Sequence, residues 1–189
     1  MRSFDQREHS YLGYSLRIDG TIDGLASGFT VGIGKSLQAK HRVEVGIGIE
    51  GMCLPVQNTD LEPVSYYKVS KFNVISRSQM QSQSPPPWLG VPPSLELYRA
   101  RGHRRLAVQA YESSCRPCIW GCHMAVEMII DQWNPSQRKY RQETFCYGPK
   151  SCELYRSGPA RRVPGRKGMS WTEEDWVDEE ATGHRSDEE

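Results

Sequence analysis

Five of the six cysteines lie between residues 115 and 152, and their spacing constrains the fold more than any other feature. The segment CRPCIWGCH holds three of them and a histidine, and CYGPKSC holds two more. A Cys-x2-Cys pair, a hairpin's length of chain and a second cysteine pair can aim four thiolates at one point, as tetrahedral Zn²⁺ requires. The sequence therefore predicts a metal site whose ligands are Cys115, Cys118, Cys146 and Cys152.

The second cysteine pair is spaced more widely than the first. Five residues separate Cys146 from Cys152, although Gly148-Pro149 can close that loop as a turn. Cys122 and His123 are therefore alternates for the second pair of ligands. A site with four cysteines has no open position for water, so the zinc would be structural and its binding energy would be folding energy. An iron–sulfur cluster is the alternative, but the order of the cysteines differs from the commonest cluster spacings.

Composition favours a small core that needs such a staple. Only 37% of the residues are hydrophobic, and 12 prolines and 17 glycines interrupt the chain. The first residues, MRSFDQREHSYLGYSL, lack the apolar region of a secretory signal, and no run approaches the ~20 apolar residues of a membrane span. We therefore expect a cytoplasmic protein without membrane contact, in which thiols stay reduced and are available to a metal.

Residues 10–76 show the alternation of short β-strands. Val43, Val45, Ile47 and Ile49 fall on one face of a strand, and turn residues such as Asp23-Gly24 separate this run from its neighbours. Four or five short strands in this length predict a small barrel, of either the OB-like or the SH3-like type.

Three further segments follow the predicted barrel. Residues 77–93 form a Pro/Ser/Gln-rich linker, residues 94–168 a basic module that contains the cysteines, and residues 169–189 an acidic tail with two tryptophans. Within the module, alternating apolar residues favour a hairpin across Arg101-Gly102-His103, and two strand-like runs flank Asn134-Pro135. In the tail, Ser170 and Glu173 form a capping box before a short helix.

Charge is distributed unevenly along the chain. Residues 77–168 carry 15 Lys and Arg against 6 Asp and Glu, whereas residues 169–189 carry 1 Arg against 9 acids. Arginine binds phosphate bidentately and stacks on bases, so three basic clusters predict an RNA or single-strand surface. The candidate residues are Arg99, Arg101, Arg104, Arg105, Arg138, Lys139, Arg141, Arg161, Arg162, Arg166 and Lys167.

The block from Cys115 to Cys152 resembles the zinc-ribbon class, and residues 10–76 resemble an OB-type barrel. Proteins that join such units are often nucleic-acid or ribonucleoprotein factors. The resemblance implies a mainly β protein in which a small barrel is followed by a zinc-ribbon-type hairpin module and an acidic tail. No nucleotide loop, metalloprotease motif or nucleophile motif points to an enzyme or to catalytic residues.

Three functions follow from these features. The first is a non-enzymatic, zinc-containing protein that binds RNA or single-stranded nucleic acid through its arginine-rich loops. The second is a scaffold or accessory subunit that binds a protein partner through residues 170–189. The third is an iron–sulfur or redox protein.

Overall fold

The computed structural model describes the chain over most of its length, and every structural statement below refers to this part. The described residues are 2–3, 9–10, 13–59, 61–77, 86–129, 138–164, 170–173 and 176–186. Within them the protein is mainly β, as the sequence predicts, with one four-stranded, one five-stranded and one two-stranded sheet. No described helix has the length and apolar composition that crossing a bilayer requires.

Eleven strands and four short helices are described. The strands are β1 (Arg2–Ser3), β2 (His9–Ser10), β3 (Gly13–Ile22), β4 (Leu25–Gly34), β5 (Gly48–Pro55), β6 (Tyr66–Ser76), β7 (Arg104–Arg105), β8 (Gly121–Ile129), β9 (Arg138–Cys146), β10 (Arg161–Pro164) and β11 (Ser170–Glu173). The helices are α1 (Lys35–His41), α2 (Leu95–Arg101), α3 (Val108–Ala110), which continues as a π turn over Tyr111–Cys115, and α4 (Trp176–Thr182).

The four-stranded N-terminal sheet has the strand order β3-β4-β6-β5. β3 and β4 form a hairpin around Asp23 and Gly24, which both have positive φ, as a tight hairpin turn requires. The predicted barrel is wrong, because β3 and β5 are the two edges of an open sheet and do not pair with each other. Closure requires the outer strands to join, and here they end at opposite sides.

Helix α1 is absent from the sequence prediction, which assigns a strand to its C-terminal flank. Gln38 is buried, and its side-chain amide donates to the carbonyl oxygen of Val43 at 2.9 Å and accepts from the Val43 N–H at 3.1 Å. These two bonds hold Val43 against α1, two residues after the helix ends at His41. The predicted strand therefore begins only at Gly48.

The five-stranded central sheet has the order β2-β1-β8-β9-β7 and contains the cysteine hairpin. β8 and β9 pair antiparallel in continuous register, from Gly121 opposite Cys146 to Ile129 opposite Arg138. The predicted hairpin between the cysteine pairs is therefore confirmed over its strands. Its Asn134-Pro135 turn lies outside the described residues.

A hairpin predicted across Arg101-Gly102-His103 is wrong, because a helix precedes the turn. The Ser94 hydroxyl accepts from the Leu97 N–H at 3.4 Å and so caps the N-terminus of α2. Leu95 and Tyr98, one helical turn apart, are both buried. Capping and the burial of one helical face thus outweigh the alternation of apolar residues.

Two hydrophobic clusters support the central sheet. The first consists of Leu95, Tyr98, Met124, Val126, Phe145 and Tyr147, with Tyr14 of β3 packed against it. The second consists of Leu106, Cys115 and Cys146, with Ala110, Tyr111, Cys118, Leu154 and Tyr155 packed around it. Two of the predicted metal ligands therefore lie in a core cluster, and a third lies at its edge.

The C-terminal helix is confirmed, but its predicted capping box is wrong. Ser170 and Glu173 lie on β11, where they pair with Pro164 and Arg161 of β10. The helix begins further along the chain, at Trp176. Backbone pairing with the preceding strand thus takes the residues that a capping motif assigns to a helix start.

Candidate metal centre

Of the first two candidate ligands, Cys115 ends the π turn and Cys118 lies between it and β8. The N–H of Cys118 donates to the carbonyl oxygen of Cys115, and the N–H of Gly121 donates to the carbonyl oxygen of Cys118, both at 3.1 Å. Gly121 is required here, because a Cβ at this position would lie 2.4 Å from the carbonyl oxygen of Cys115. The tight path brings the chain from Cys118 directly into β8.

The second pair reaches the same place through the hairpin. Cys146 ends β9 directly opposite Gly121, so the register of the two strands returns it to the first pair. A turn then carries the chain on, and in this turn the N–H of Cys152 donates to the carbonyl oxygen of Pro149 at 3.2 Å. The four predicted cysteines thus come from two turns at one end of one hairpin.

Electrostatic interactions place the thiols of Cys146, Cys118 and Cys152 near that of Cys115. Burial, together with the nearby thiols of Cys146, Cys118 and Cys152, raises the pKa of Cys115 to about 12. Burial also raises the pKa of Cys118 and of Cys146 above 9.0. In the absence of a cation these thiols are therefore protonated at neutral pH.

Backbone donors point at two of the sulfur atoms. The N–H of Gly148 donates to the Cys146 Sγ at 3.3 Å. Cys118 forms hydrogen bonds with backbone groups of Trp120, Trp88 and Gly121. These interactions lower the pKa of each thiol against the effect of burial. They are the contacts that stabilise a thiolate, the form in which cysteine binds metal.

Arg104 is a buried cation beside Cys146. It is 9% exposed, and its guanidinium stacks on the Tyr155 ring at 3.8 Å and lowers the pKa of Cys146. Its Nε has no hydrogen-bond acceptor among the described residues. A buried donor without an acceptor is costly, and a thiolate sulfur would satisfy it. The surroundings of Cys146 therefore fit a negatively charged metal–thiolate group.

Cys122 and His123 lie on β8 and point to opposite sides of the strand. Cys122 packs against the first hydrophobic cluster, and burial raises its pKa to about 11. The ring of His123 lies 5.8 Å from the ring of Tyr111, and burial lowers its pKa despite the nearby carboxylate of Glu112. Neither residue is among the causes of the pKa shifts of Cys115, Cys118 and Cys146.

The arrangement brings the four thiols together without forming a coordination sphere. In the described part of the chain, no three His, Cys, Asp or Glu side chains are arranged to hold a metal ion. No family model, curated protein or solved structure matches the chain. The case for a metal centre therefore rests on the convergence of these cysteines and on the donors around them.

Two of the predicted nucleic-acid-binding residues lie in the interior. Arg105 is 2% exposed, and Asp178 of α4 accepts from its backbone N–H at 3.1 Å and from its Nε at 3.0 Å. Arg104 donates to the carbonyl oxygen of Pro149 at 2.9 Å. The cationic groups of both arginines thus face the protein itself, and sequence reasoning missed this role.

Two of the remaining candidates form internal contacts. The Nε of Arg101 donates to the carbonyl oxygen of Tyr147 at 2.7 Å, and Arg141 pairs with Glu143 at 2.5 Å. Arg99 is exposed on α2. The backbone of Arg138 and Lys139 lies at the start of β9, that of Arg161 and Arg162 at the start of β10, and Arg166 and Lys167 lie outside the described residues.

Proposed function

We propose that this protein is a non-enzymatic nucleic-acid-binding protein built around a structural zinc centre. The observation that carries the proposal is the convergence of Cys115, Cys118, Cys146 and Cys152 at one end of the β8–β9 hairpin. Bound there, zinc would supply folding energy to the module and would have no open coordination position for catalysis.

The choice of metal is tested by elemental analysis of the purified, reduced protein. One equivalent of zinc in a colourless protein is the expected result. Iron together with visible absorption would instead assign the cysteines to an iron–sulfur cluster. Replacing Cys115 by Ser should abolish metal content, whereas Cys122→Ser should retain it, because Cys122 packs in the first hydrophobic cluster.

The proposed nucleic-acid surface omits Arg101, Arg104, Arg105 and Arg141, whose bonds within the protein are described above. Its support is the exposure of Arg99 and the excess of 15 basic over 6 acidic residues in residues 77–168. The surface consists of Arg99, Arg138, Lys139, Arg161, Arg162, Arg166 and Lys167. If all seven contact phosphates, affinity for single strands should fall with a log–log salt slope of up to about −5, at ~0.7 per contact.

A double substitution tests this surface against a matched control. Arg161→Gln with Arg162→Gln should make the salt slope shallower by about 1.4, at ~0.7 per lost contact. Lys68→Gln with Lys71→Gln removes the same charge from exposed positions of β6 and should leave the slope unchanged. Equal effects of the two pairs, or binding that is insensitive to salt, would reject the proposed surface.

A protein-binding function is the second candidate, and the edge of the N-terminal sheet favours it. β5 is an edge strand, and its Met52 and Leu54 side chains are 56% and 53% exposed. An unpaired strand edge with apolar side chains can accept a strand of a partner. A partner that stays bound at high salt and after nuclease treatment, and that Met52→Glu releases, would support this candidate.

A further inference from the structure

The loop between the last two proposed ligands is held by three arginines. Its residues 147–150 present four successive carbonyl oxygens, and each of them accepts from a guanidinium. Tyr147 accepts from Arg101 at 2.7 Å and from Arg185 at 3.2 Å, Gly148 from Arg185 at 3.0 Å, Pro149 from Arg104 at 2.9 Å, and Lys150 from Arg104 at 3.5 Å. The widely spaced cysteine pair is therefore joined by a loop in which each of the residues 147–150 accepts a hydrogen bond from an arginine.

One of these arginines comes from the acidic C-terminal segment. Arg185 is 6% exposed, and its own carbonyl oxygen accepts from the Lys150 Nζ at 3.0 Å. The bonds therefore run in both directions between the loop and residues 176–186, which we call the C-terminal clamp. The clamp is the support that comes from outside the basic module, whereas Arg101 and Arg104 lie within it.

Separate contacts seat the clamp on α2 and β7. The carboxylate of Asp178 binds Arg105, and the His184 ring lies 2.6 Å from the carbonyl oxygen of Ala100. Gly102 packs so closely that an added Cβ would lie 2.0 Å from the carbonyl oxygen of Ala181. The clamp is thus anchored at its start, middle and end, and Arg185 reaches the ligand loop from a supported position.

A loop of this length needs such support if it is to hold a metal. Five residues between two ligands leave more conformational freedom than the two residues of a Cys-x2-Cys turn, and this freedom is lost when metal binds. Fixing the loop in advance reduces that loss, so ligands held by surrounding hydrogen bonds bind metal more tightly.

We propose that the C-terminal clamp positions Cys146 and Cys152 for zinc, so that docking of the clamp and zinc affinity are thermodynamically coupled. Residues 176–186 strengthen zinc binding by holding the ligand loop, and zinc in turn strengthens docking of the clamp by the same factor. This inference rests on the proposed zinc centre and assigns the acidic tail an intramolecular role. Arg185 is a positioning residue, because it acts through the loop and not on the metal.

The test uses the full-length protein and the variant Arg185→Gln. Zinc affinity is measured by competition with a chromogenic chelator under reducing conditions. Loss of a charge-assisted hydrogen bond to the loop should weaken zinc binding about tenfold. The control is Arg77→Gln, which removes the same charge from an exposed residue bonded to the carbonyl oxygen of His41, and its affinity should stay within about twofold of wild type.

A second measurement needs no substitution. Hydrogen exchange of the wild-type protein with and without zinc should show that zinc removal exposes the amides of residues 176–186. Exchange in the hairpin of β3 and β4 should change less, because its ten residue pairs bond the two strands to each other.

The outcomes separate this inference from the proposal on which it rests. If the wild-type protein binds no zinc, both the zinc centre and the coupling are rejected. If it binds zinc but Arg185→Gln matches Arg77→Gln, or if zinc removal leaves exchange of the clamp unchanged, the coupling alone is rejected. Weakened zinc binding in Arg185→Gln together with zinc-dependent protection of the clamp supports it.

Discussion

If zinc is bound by these cysteines as proposed, the pH dependence of its affinity follows from the burial of their thiols. The pKa of Cys115 is held at about 12, and the pKa values of Cys118 and Cys146 are raised above 9.0. At pH 7 all three are therefore thiols, whereas zinc binds thiolates. Zinc binding must displace at least three protons from these residues.

The size of the effect is set by that proton count. Release of three protons makes the zinc dissociation constant fall about 1,000-fold for each unit of rising pH, or about 4 kcal/mol. The raised pKa values determine the direction of the change. Zinc affinity increases with pH throughout the range below 9, because the thiols remain protonated there. A single ionising ligand, in contrast, gives only about a tenfold change.

The assay is chelator competition between pH 6.5 and 7.5, combined with direct measurement of proton release in weakly buffered solution. Cys118→Ser should weaken binding and lower the slope by about one proton. Cys122→Ser should leave the slope unchanged. A slope of one proton or less would refute the assignment of buried thiols as ligands, and a reduced slope in Cys122→Ser would move Cys122 into the ligand set.

Three further predictions concern stability, measured as the free energy of unfolding in denaturant. Gly121→Ala should cost several kcal/mol, because its Cβ would lie 2.4 Å from a carbonyl oxygen. The control Gly34→Ala places its Cβ where no atom lies within 4 Å and should change stability by less than about 0.5 kcal/mol. Equal effects of the two variants would contradict the close approach at Gly121. Arg105→Met should cost about 3–5 kcal/mol, because it leaves the Asp178 carboxylate without its buried cation. Adding Asp178→Asn to this variant should recover part of the lost stability. No recovery would mean that the two residues do not act as an ion pair. Ser94→Ala should cost about 1 kcal/mol through loss of the α2 cap, while Ser94→Asp should retain most of the stability. An unchanged free energy of unfolding in Ser94→Ala would show that the cap does not stabilise the protein.

Local patterns predicted the parts of the candidate site that depend on neighbouring residues. Two apolar runs separated by a turn signal specify the β8–β9 hairpin, and hairpin register then determines that Cys146 returns to the first cysteine pair. Because that register brings the two ends of the hairpin together, spacing alone was enough to select four cysteines that share one neighbourhood.

Other elements could not be predicted, because contacts outside the local motif decide them. Alternation in residues 94–112 suggested a hairpin, but burial of Leu95 and Tyr98 against the central sheet favours a helix. The barrel prediction is wrong because β3 and β5 remain the two edges of an open sheet. Ser170 and Glu173 match a capping box, yet their backbone groups pair with β10.

The arginines show most clearly which features can be predicted from the sequence and which are decided by the tertiary structure. Charge counting marks Arg99, Arg101, Arg104 and Arg105 equally as surface cations, since a sequence does not specify which side chains lose contact with water. The sequence by itself determined the cysteine hairpin and the opposite charges of the module and the tail. Only the tertiary structure decided that Arg104 and Arg105 face inward and that Arg185 reaches the cysteine loop, because these contacts join residues between 37 and 73 positions apart in the chain.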